Sequence, residues 1–308
     1  MWLLRSLRIV AILTPFVPAR IGYLICQTLG ILFFALNIRA RRNVLANLAT
    51  VDPKMGWRQR QRAAARVCIT VVTNYYDLIR LRSVDRERVH DFVTIDGLEH
   101  VHSALEQGRG AIIVSAHLGN FSVMAKLPST LGLRAALVAE LVHPPELYQY
   151  MARLRSAMGI EVIPPGHTSL RKILTLLRDN RLLLLAGDRD VTHRGQPVRF
   201  FNRQTTLPIG PVALAMKTGA ALLPAYTLRT SYQRSRVVIE PPLEHRDTGD
   251  RDADMSANLQ LLADRLESMI SHDPGQWAVL QRVWPPTTTY GRSEGLGSGD
   301  DSFEEHTW

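Results

Sequence analysis

Two stretches of this 308-residue chain place ionisable side chains where an apolar run stops. The first is Ser115-Ala116-His117-Leu118-Gly119-Asn120-Phe121-Ser122, directly after the apolar run Ala111–Val114. The second is Gly187-Asp188-Arg189-Asp190, after Leu183-Leu184-Leu185-Ala186. An imidazole titrates near neutrality and can take a proton from a hydroxyl, so His117 is a candidate general base. Two carboxylates flanking a guanidinium could orient a histidine, bind a cation or form a structural ion-pair knot, and spacing alone leaves all three open. A divalent cation site would need more convergent oxygen ligands than this segment supplies, so no metal is expected. His143, His167, His193, His245 and His272 lie in polar stretches without ligand spacing and read as surface residues. Cys26 and Cys68 sit in apolar surroundings with no partner motif, which points to neither a disulfide framework nor zinc.

Both polar stretches must be held by the elements that precede them. From about residue 92 short apolar runs alternate with helical segments. Strands are predicted at 93–95, 111–115, 135–139, 182–186, 198–201, 221–225 and 237–239. Helices are predicted at 97–107, 120–131, 145–158, 168–179, 210–218 and 255–271. This alternation predicts one α/β domain with a substantially parallel sheet, whose reactive groups belong at the carboxyl ends of strands. A histidine there, followed by Gly119-Asn120 turning the chain into a helix, stands near helix N-terminal amides. No G-x-S-x-G elbow surrounds a serine, and neither G-x-x-x-x-G-K-[ST] nor G-x-G-x-x-G occurs, which disfavours a serine hydrolase and a nucleotide-dependent transferase.

The charge is unevenly spread. The formal net charge of +9 is concentrated in residues 1–86, which hold 14 Lys/Arg against 3 Asp/Glu, while residues 285–308 hold 1 against 5. A basic excess at one end implies an anionic partner surface. Between Ile9 and Ile38 only Arg20 is charged, and the uncharged run Ile21–Ile38 ends at the cluster Arg39, Arg41, Arg42. As a helix that run is about 27 Å long, slightly short of a hydrocarbon core of about 30 Å. Pro15 and Pro18 separate it from the preceding apolar piece. These features predict a helix that lies in or dips into a bilayer with its arginines on headgroup phosphates, rather than a cleaved signal peptide. A buried hairpin of the domain is the alternative. The arginines of 57–82 lack a reading motif or exposed interleaved aromatics, so nucleic acid is not an expected partner. The segment 285–308, rich in Thr, Ser, Gly and acids, reads as a disordered tail.

Several blocks together resemble the bacterial lipid A biosynthesis acyltransferase family, which includes the phosphatidylinositol mannoside acyltransferases. They are the run from Gly108 to Phe121, Gly187-Asp188-Arg189-Asp190 with Phe200-Phe201-Asn202-Arg203, the block from Leu207 to Ala215 followed by 218–224, and Pro274-Gly275-Gln276-Trp277. The resemblance covers about residues 20–284. It implies a mixed, largely parallel sheet wrapped by helices, similar to glycerolipid acyltransferases, with a groove for the acyl chain. It also implies acyl transfer from an acyl-CoA or acyl-carrier protein to a hydroxyl of a membrane glycolipid or phosphoglycolipid, at the cytoplasmic face of the plasma membrane. No other cofactor is implied.

In the family's H-x4-D/E motif the histidine is the general base, and His117 matches it. The motif's carboxylate falls at 122, where this chain has Ser122. A serine can orient an imidazole but cannot supply charge to the imidazolium that forms. The mannoside acyltransferases pair the histidine with an acid in a later segment, near which Asp188 falls. The expectation is therefore His117 as base, Asp188 as its orienting carboxylate, Ser122 as an auxiliary hydrogen-bonding group and Asp190 as the alternative partner. Arg155 resembles the family's arginine on the acceptor or thioester side, and Arg189, Asn120 and Asp190 are further candidates for contact with substrate. Amides around Gly119 and Asn120, or an arginine, would stabilise charge on the thioester oxygen. The organisation expected is a membrane-associating segment over 1–42, an acyltransferase domain over 43–284 and the tail. A second reading keeps the fold and the basic membrane face but loses turnover, leaving a peripheral lipid-binding protein.

Overall fold

A computed structural model of the chain describes residues 9, 11–84 and 87–284. The acidic segment expected to be a tail, 285–308, lies outside the described residues. Seven strands form one sheet in the order β1-β9-β8-β2-β5-β3-β4. They are β1 (Val93–Asp96), β2 (Ala111–Ser115), β3 (Ala135–Val138), β4 (Glu161–Ile163), β5 (Leu182–Ala186), β8 (Ala221–Arg229) and β9 (Ser235–Ile239). Every pairing in it is parallel except β8 with β9. The central strands β2 and β5 read AIIVS and LLLLA because helices cover both of their faces, leaving no polar side to alternate with. The run expected as a strand at 198–201 is instead part of a separate antiparallel hairpin, β6 (Gln196–Phe200) with β7 (Arg203–Leu207). Its alternating burial marks a strand with one solvated face.

Helices α4 (Leu98–Glu106), α5 (Phe121–Thr130) and α6 (Pro145–Ser156) pack with the core that holds Ile113, Leu184 and Leu223. On the other side α7 (His167–Arg178), α8 (Gly210–Thr218) and α9 (Arg251–His272) pack on Ile112, Leu183 and Leu222, with Trp277 and Trp284 buried among them. Asp250 caps α9, accepting from the amides of Asp252 and Ala253, which starts the helix four residues before the apolar periodicity suggests.

Three helices precede the sheet: α1 (Ala19–Leu36), α2 (Ile38–Val51) and α3 (Trp57–Arg80). The uncharged run breaks at Asn37, whose side chain caps α2 by accepting from the Ala40 amide at 2.9 Å. Helix α2 continues through position 42. Helices α1 and α3 run antiparallel and very close. A Cβ at Gly22 would stand 2.2 Å from the Tyr76 hydroxyl oxygen, and one at Gly30 would stand 2.5 Å from the Ile69 Cα. Glycine at both positions lets the backbones meet. The opposite side of α1 presents Ile21, Leu24, Ile25, Leu29, Leu32 and Leu36 to the outside. Asn43 and Asn47, which read as helix surface, hold the carboxyl-terminal segment: Asn43 donates to the Leu280 carbonyl, Asn47 donates to that of Gln281, and Asn47 accepts from the Val283 amide.

Candidate active site

Strands β2 and β5 are parallel, with Ser115 opposite Ala186. Continuing that register two residues beyond both strand ends brings His117 opposite Asp188. The imidazole Nδ1 lies 2.7 Å from Asp188 Oδ1, and the His117 backbone amide donates to Oδ2 at 2.9 Å. Trp277 Nε1 also donates to Oδ2, at 2.8 Å. Asp188 is sealed from solvent, whereas the His117 side chain retains 24% exposure. Burial by itself pushes the Asp188 carboxyl up. Electrostatic attraction to the His117 ring and the three hydrogen bonds outweigh that and hold it well below the usual carboxylate range. An ionised carboxylate on Nδ1 fixes that nitrogen as the donor, so Nε2 is the acceptor, and among the described residues it has no protein hydrogen-bond partner. The Phe121 ring meets the imidazole edge to face at 5.9 Å between centroids. This arrangement can accept a proton at Nε2 and stabilise the resulting imidazolium through the buried carboxylate.

The loop behind the imidazole is held atom by atom. The His117 carbonyl accepts from the Ala278 amide, that of Leu118 from Thr227 Oγ1, and that of Gly119 from Asn74 Nδ2. The Gly119 amide donates to the Gln276 carbonyl. Gly119 takes φ +61°, and a Cβ there would fall 2.2 Å from the Thr227 carbonyl oxygen, so only glycine fits. Because its amide is already engaged, Gly119 does not offer the oxyanion donor expected at this turn.

The other anticipated residues divide. Ser122 is buried in the first turn of α5 and donates to the Asn74 carbonyl at 3.3 Å, so its hydroxyl serves α3 rather than the imidazole. Asp190 does not reach His117. It accepts from the amides of Arg194 and Gly195 and the hydroxyls of Thr192 and Thr206, and so closes the approach to the β6–β7 hairpin. Burial pushes its carboxyl up, but those donors prevail and hold it below its ordinary value. Arg189 pairs with Glu140 and donates to Gln281, which engages its guanidinium within the protein. Asn120 is buried and donates to Asp77 at 2.9 Å. Arg155 differs: it lies partly buried on α6 beside Tyr75 and Tyr148, and among the described residues no carboxylate pairs with it. Burial pulls its pKa below the ordinary arginine value, with the two tyrosines opposing.

Sequence reasoning missed Trp277, Asn74, Asp77 and Arg229. Trp277 stood in a recognisable block without a role, and its contact with Asp188 depends on the bridge that pairs Leu118 with Trp277. Asn74 and Asp77 form a polar i, i+3 pair inside α3, a weak signal that marks one helix face in contact with something polar. Among the described residues no group of three or more His, Cys, Asp or Glu side chains could hold a metal ion.

Comparison with known proteins identifies the family of the chain. The family described as bacterial lipid A biosynthesis acyltransferase matches residues 2–285. The phosphatidylinositol mannoside acyltransferase of Mycolicibacterium smegmatis is 33% identical over 229 residues, 72% of this chain and 72% of that protein. The Mycobacterium tuberculosis (strain H37Rv) protein of the same description is 34% identical over 193 residues, 62% of this chain and 59% of the relative, so that match spans about six tenths of its length. The lipid A biosynthesis palmitoleoyltransferase of Escherichia coli is 26% identical over 172 residues, 54% of each chain. The chain belongs to the bacterial lipid A biosynthesis acyltransferase family and is an acyltransferase.

Proposed function

We propose that this member of the family is a membrane-associated O-acyltransferase that moves a fatty acyl group from an acyl thioester, acyl-CoA or acyl-carrier protein, to a hydroxyl of a glycolipid of the phosphatidylinositol mannoside type. The observation that carries the reading is the buried Asp188 carboxylate on His117 Nδ1 with Nε2 left open. Nε2 takes the acceptor hydroxyl proton as the oxygen attacks the thioester carbonyl. The tetrahedral intermediate then collapses, the C–S bond breaks, and the imidazolium returns the proton to the departing thiolate. Asp188 stabilises the imidazolium without itself taking the proton.

Arg155, a partly buried cation without an acidic partner among the described residues, is assigned to an anionic group of the substrates. Ser122 in place of an acid does not argue for a lipid-binding protein without turnover, because Asp188 supplies the charge.

Membrane association is supported by α1, which is long and apolar enough to cross a bilayer yet is packed along α3 on one side. Antiparallel pairing with α3, whose residues 74 and 77 hold the loop behind His117, favours a helix lying in one leaflet. Arg20 is exposed in the first turn of α1 and Arg39 and Arg42 are exposed at the start of α2, just beyond its end, and no acidic residue precedes Asp52. The surface it fits is the anionic cytoplasmic face of the plasma membrane.

The test incubates purified protein with vesicles containing phosphatidylinositol mannosides and labelled acyl-CoA, and follows free thiol and a mass-shifted lipid. Both are expected, and both should vanish in His117→Ala. Turnover surviving in His117→Ala would overturn the base assignment. Vesicle binding with no acylated lipid under any donor would leave the lipid-binding reading in its place.

A further inference from the structure

The Asp77 carboxylate is fully buried in α3 and collects donors from three other parts of the molecule. Tyr23 of α1 donates its hydroxyl to Oδ1 at 2.6 Å. Asn120, the last residue before α5, donates to Oδ2 at 2.9 Å, and Arg229 at the end of β8 donates to the same oxygen at 2.7 Å. Arg229 also donates to Asn74 Oδ1 at 3.1 Å, and Asn74 Nδ2 holds the Gly119 carbonyl at 2.8 Å. The Gln276 side chain accepts from the Arg229 amide and donates to the Arg229 carbonyl, and the Gln276 backbone carbonyl accepts from the Gly119 amide. Tyr23 is itself confined: Arg80 donates to its oxygen at 3.1 Å, and the Arg80 and Arg229 guanidinia lie 5.7 Å and 5.9 Å from its ring centroid. A buried carboxylate costs stability unless its lone pairs are satisfied, and here every donor to it either lies in the loop behind His117, binds that loop's neighbours, or comes from the apolar helix.

We propose that Asp77 is a positioning residue of the active site: it fixes the Leu118–Asn120 loop that presents His117, and through Tyr23 it ties that loop to the helix α1 that meets the lipid. This rests on the reading of His117 as the base. Neither Asp77 nor Tyr23 touches the imidazole, so their effect passes through the loop. Seating α1 and aiming Nε2 are then one mechanical event, and a reaction between a lipid in the bilayer and a thioester gains from placing the base only where the acceptor lies. Displacing a catalytic group by about 1 Å costs on the order of 100-fold in turnover.

Two variants test the proposal, each read for kcat, KM, vesicle binding and the downfield proton resonance of His117 Nδ1–H. Asp77→Asn keeps the shape but removes the charge, and kcat should fall about 100-fold with KM for either substrate changed by less than about threefold. Tyr23→Phe keeps the ring packing and every outward apolar side chain of α1. Its kcat should fall about tenfold with vesicle binding unchanged, and the resonance should shift or broaden in both variants. Should Asp77→Asn not fold, Tyr23→Phe alone decides. A kcat within threefold of the parent with an unmoved resonance in folded variants overturns the proposal, as does a loss that only tracks the fraction folded. If His117→Ala retains turnover, the reading of the base has failed instead, and that result is distinguishable because it does not depend on either variant.

Discussion

Asp188 and Asp77 are both sealed from solvent, and both accept from three side-chain or backbone donors, yet they sit in opposite kinds of surroundings. Around Asp188 one of the donors is an imidazole whose far nitrogen faces outward. Around Asp77 the principal charged donor is Arg229, whose guanidinium side chain keeps only 13% exposure, so the charge is turned inward. The first arrangement can pass a proton to and from a substrate because its partner is an imidazole, which can accept a proton, and that side chain is partly exposed to the outside. The second cannot, because an arginine stays protonated and faces the interior. Burial of a carboxylate therefore does not by itself identify chemistry. The identity and exposure of its partner decide whether the site reacts or merely holds.

The comparison is broken most easily at Asp188. Asp188→Asn leaves the shape but removes the charge that stabilises imidazolium, and kcat is expected to fall about 10,000-fold with substrate binding little changed, as in other His–Asp pairs. Thiol release under saturating substrate measures it. A loss smaller than the 100-fold expected for Asp77→Asn would reverse the roles assigned to the two aspartates.

Trp277→Phe sharpens it. The substitution removes one donor to Asp188 Oδ2 while keeping most of the packing, and kcat should fall about tenfold. The pH effect has a definite sign. Asp188 titrates below its unfolded value, so its contribution to stability is complete above about pH 4 and is lost as pH falls through the folded pKa. Losing the indole donor raises that folded pKa, so acid unfolding, followed by circular dichroism, should begin at a higher pH than in the parent.

The smallest effect is expected at Ser122. Its hydroxyl makes a 3.3 Å contact with a helix carbonyl and none with the imidazole, so Ser122→Ala should change kcat by less than about threefold. Ser122→Asp would bury a carboxylate at a position only 1% exposed, and a lowered melting temperature is expected in place of a gain in turnover.

Much of the fold was legible in the chain. The apolar runs at 111–114 and 182–186 marked central strands, and the uncharged run after Pro18 marked a helix, though not its end at Leu36 or the Asn37 cap that starts the next. His117 was readable as a candidate base because it follows the carboxyl end of an apolar strand and matches the histidine of the family's H-x4-D/E motif. The β6–β7 hairpin was half missed, since Arg203–Thr206 is polar at every residue and carries no apolar signal before Leu207. Arg189 and Asp190 looked like site residues because they abut Asp188, but consecutive residues beyond a strand end point in different directions, and these two point to Glu140 and to the hairpin.

The local pattern of residue types was enough to determine where the two central strands β2 and β5 end, that both are buried on each face, and that titratable groups stand just beyond those ends. It could not determine that Asp188 rather than Ser122 serves His117. That choice is made by the parallel register of β2 with β5, which joins residues 71 apart, and by the pairing of Trp277 with Leu118 across the carboxyl-terminal segment. Hydrogen-bond register and loop closure are properties of the assembled sheet, so no window of sequence contains them.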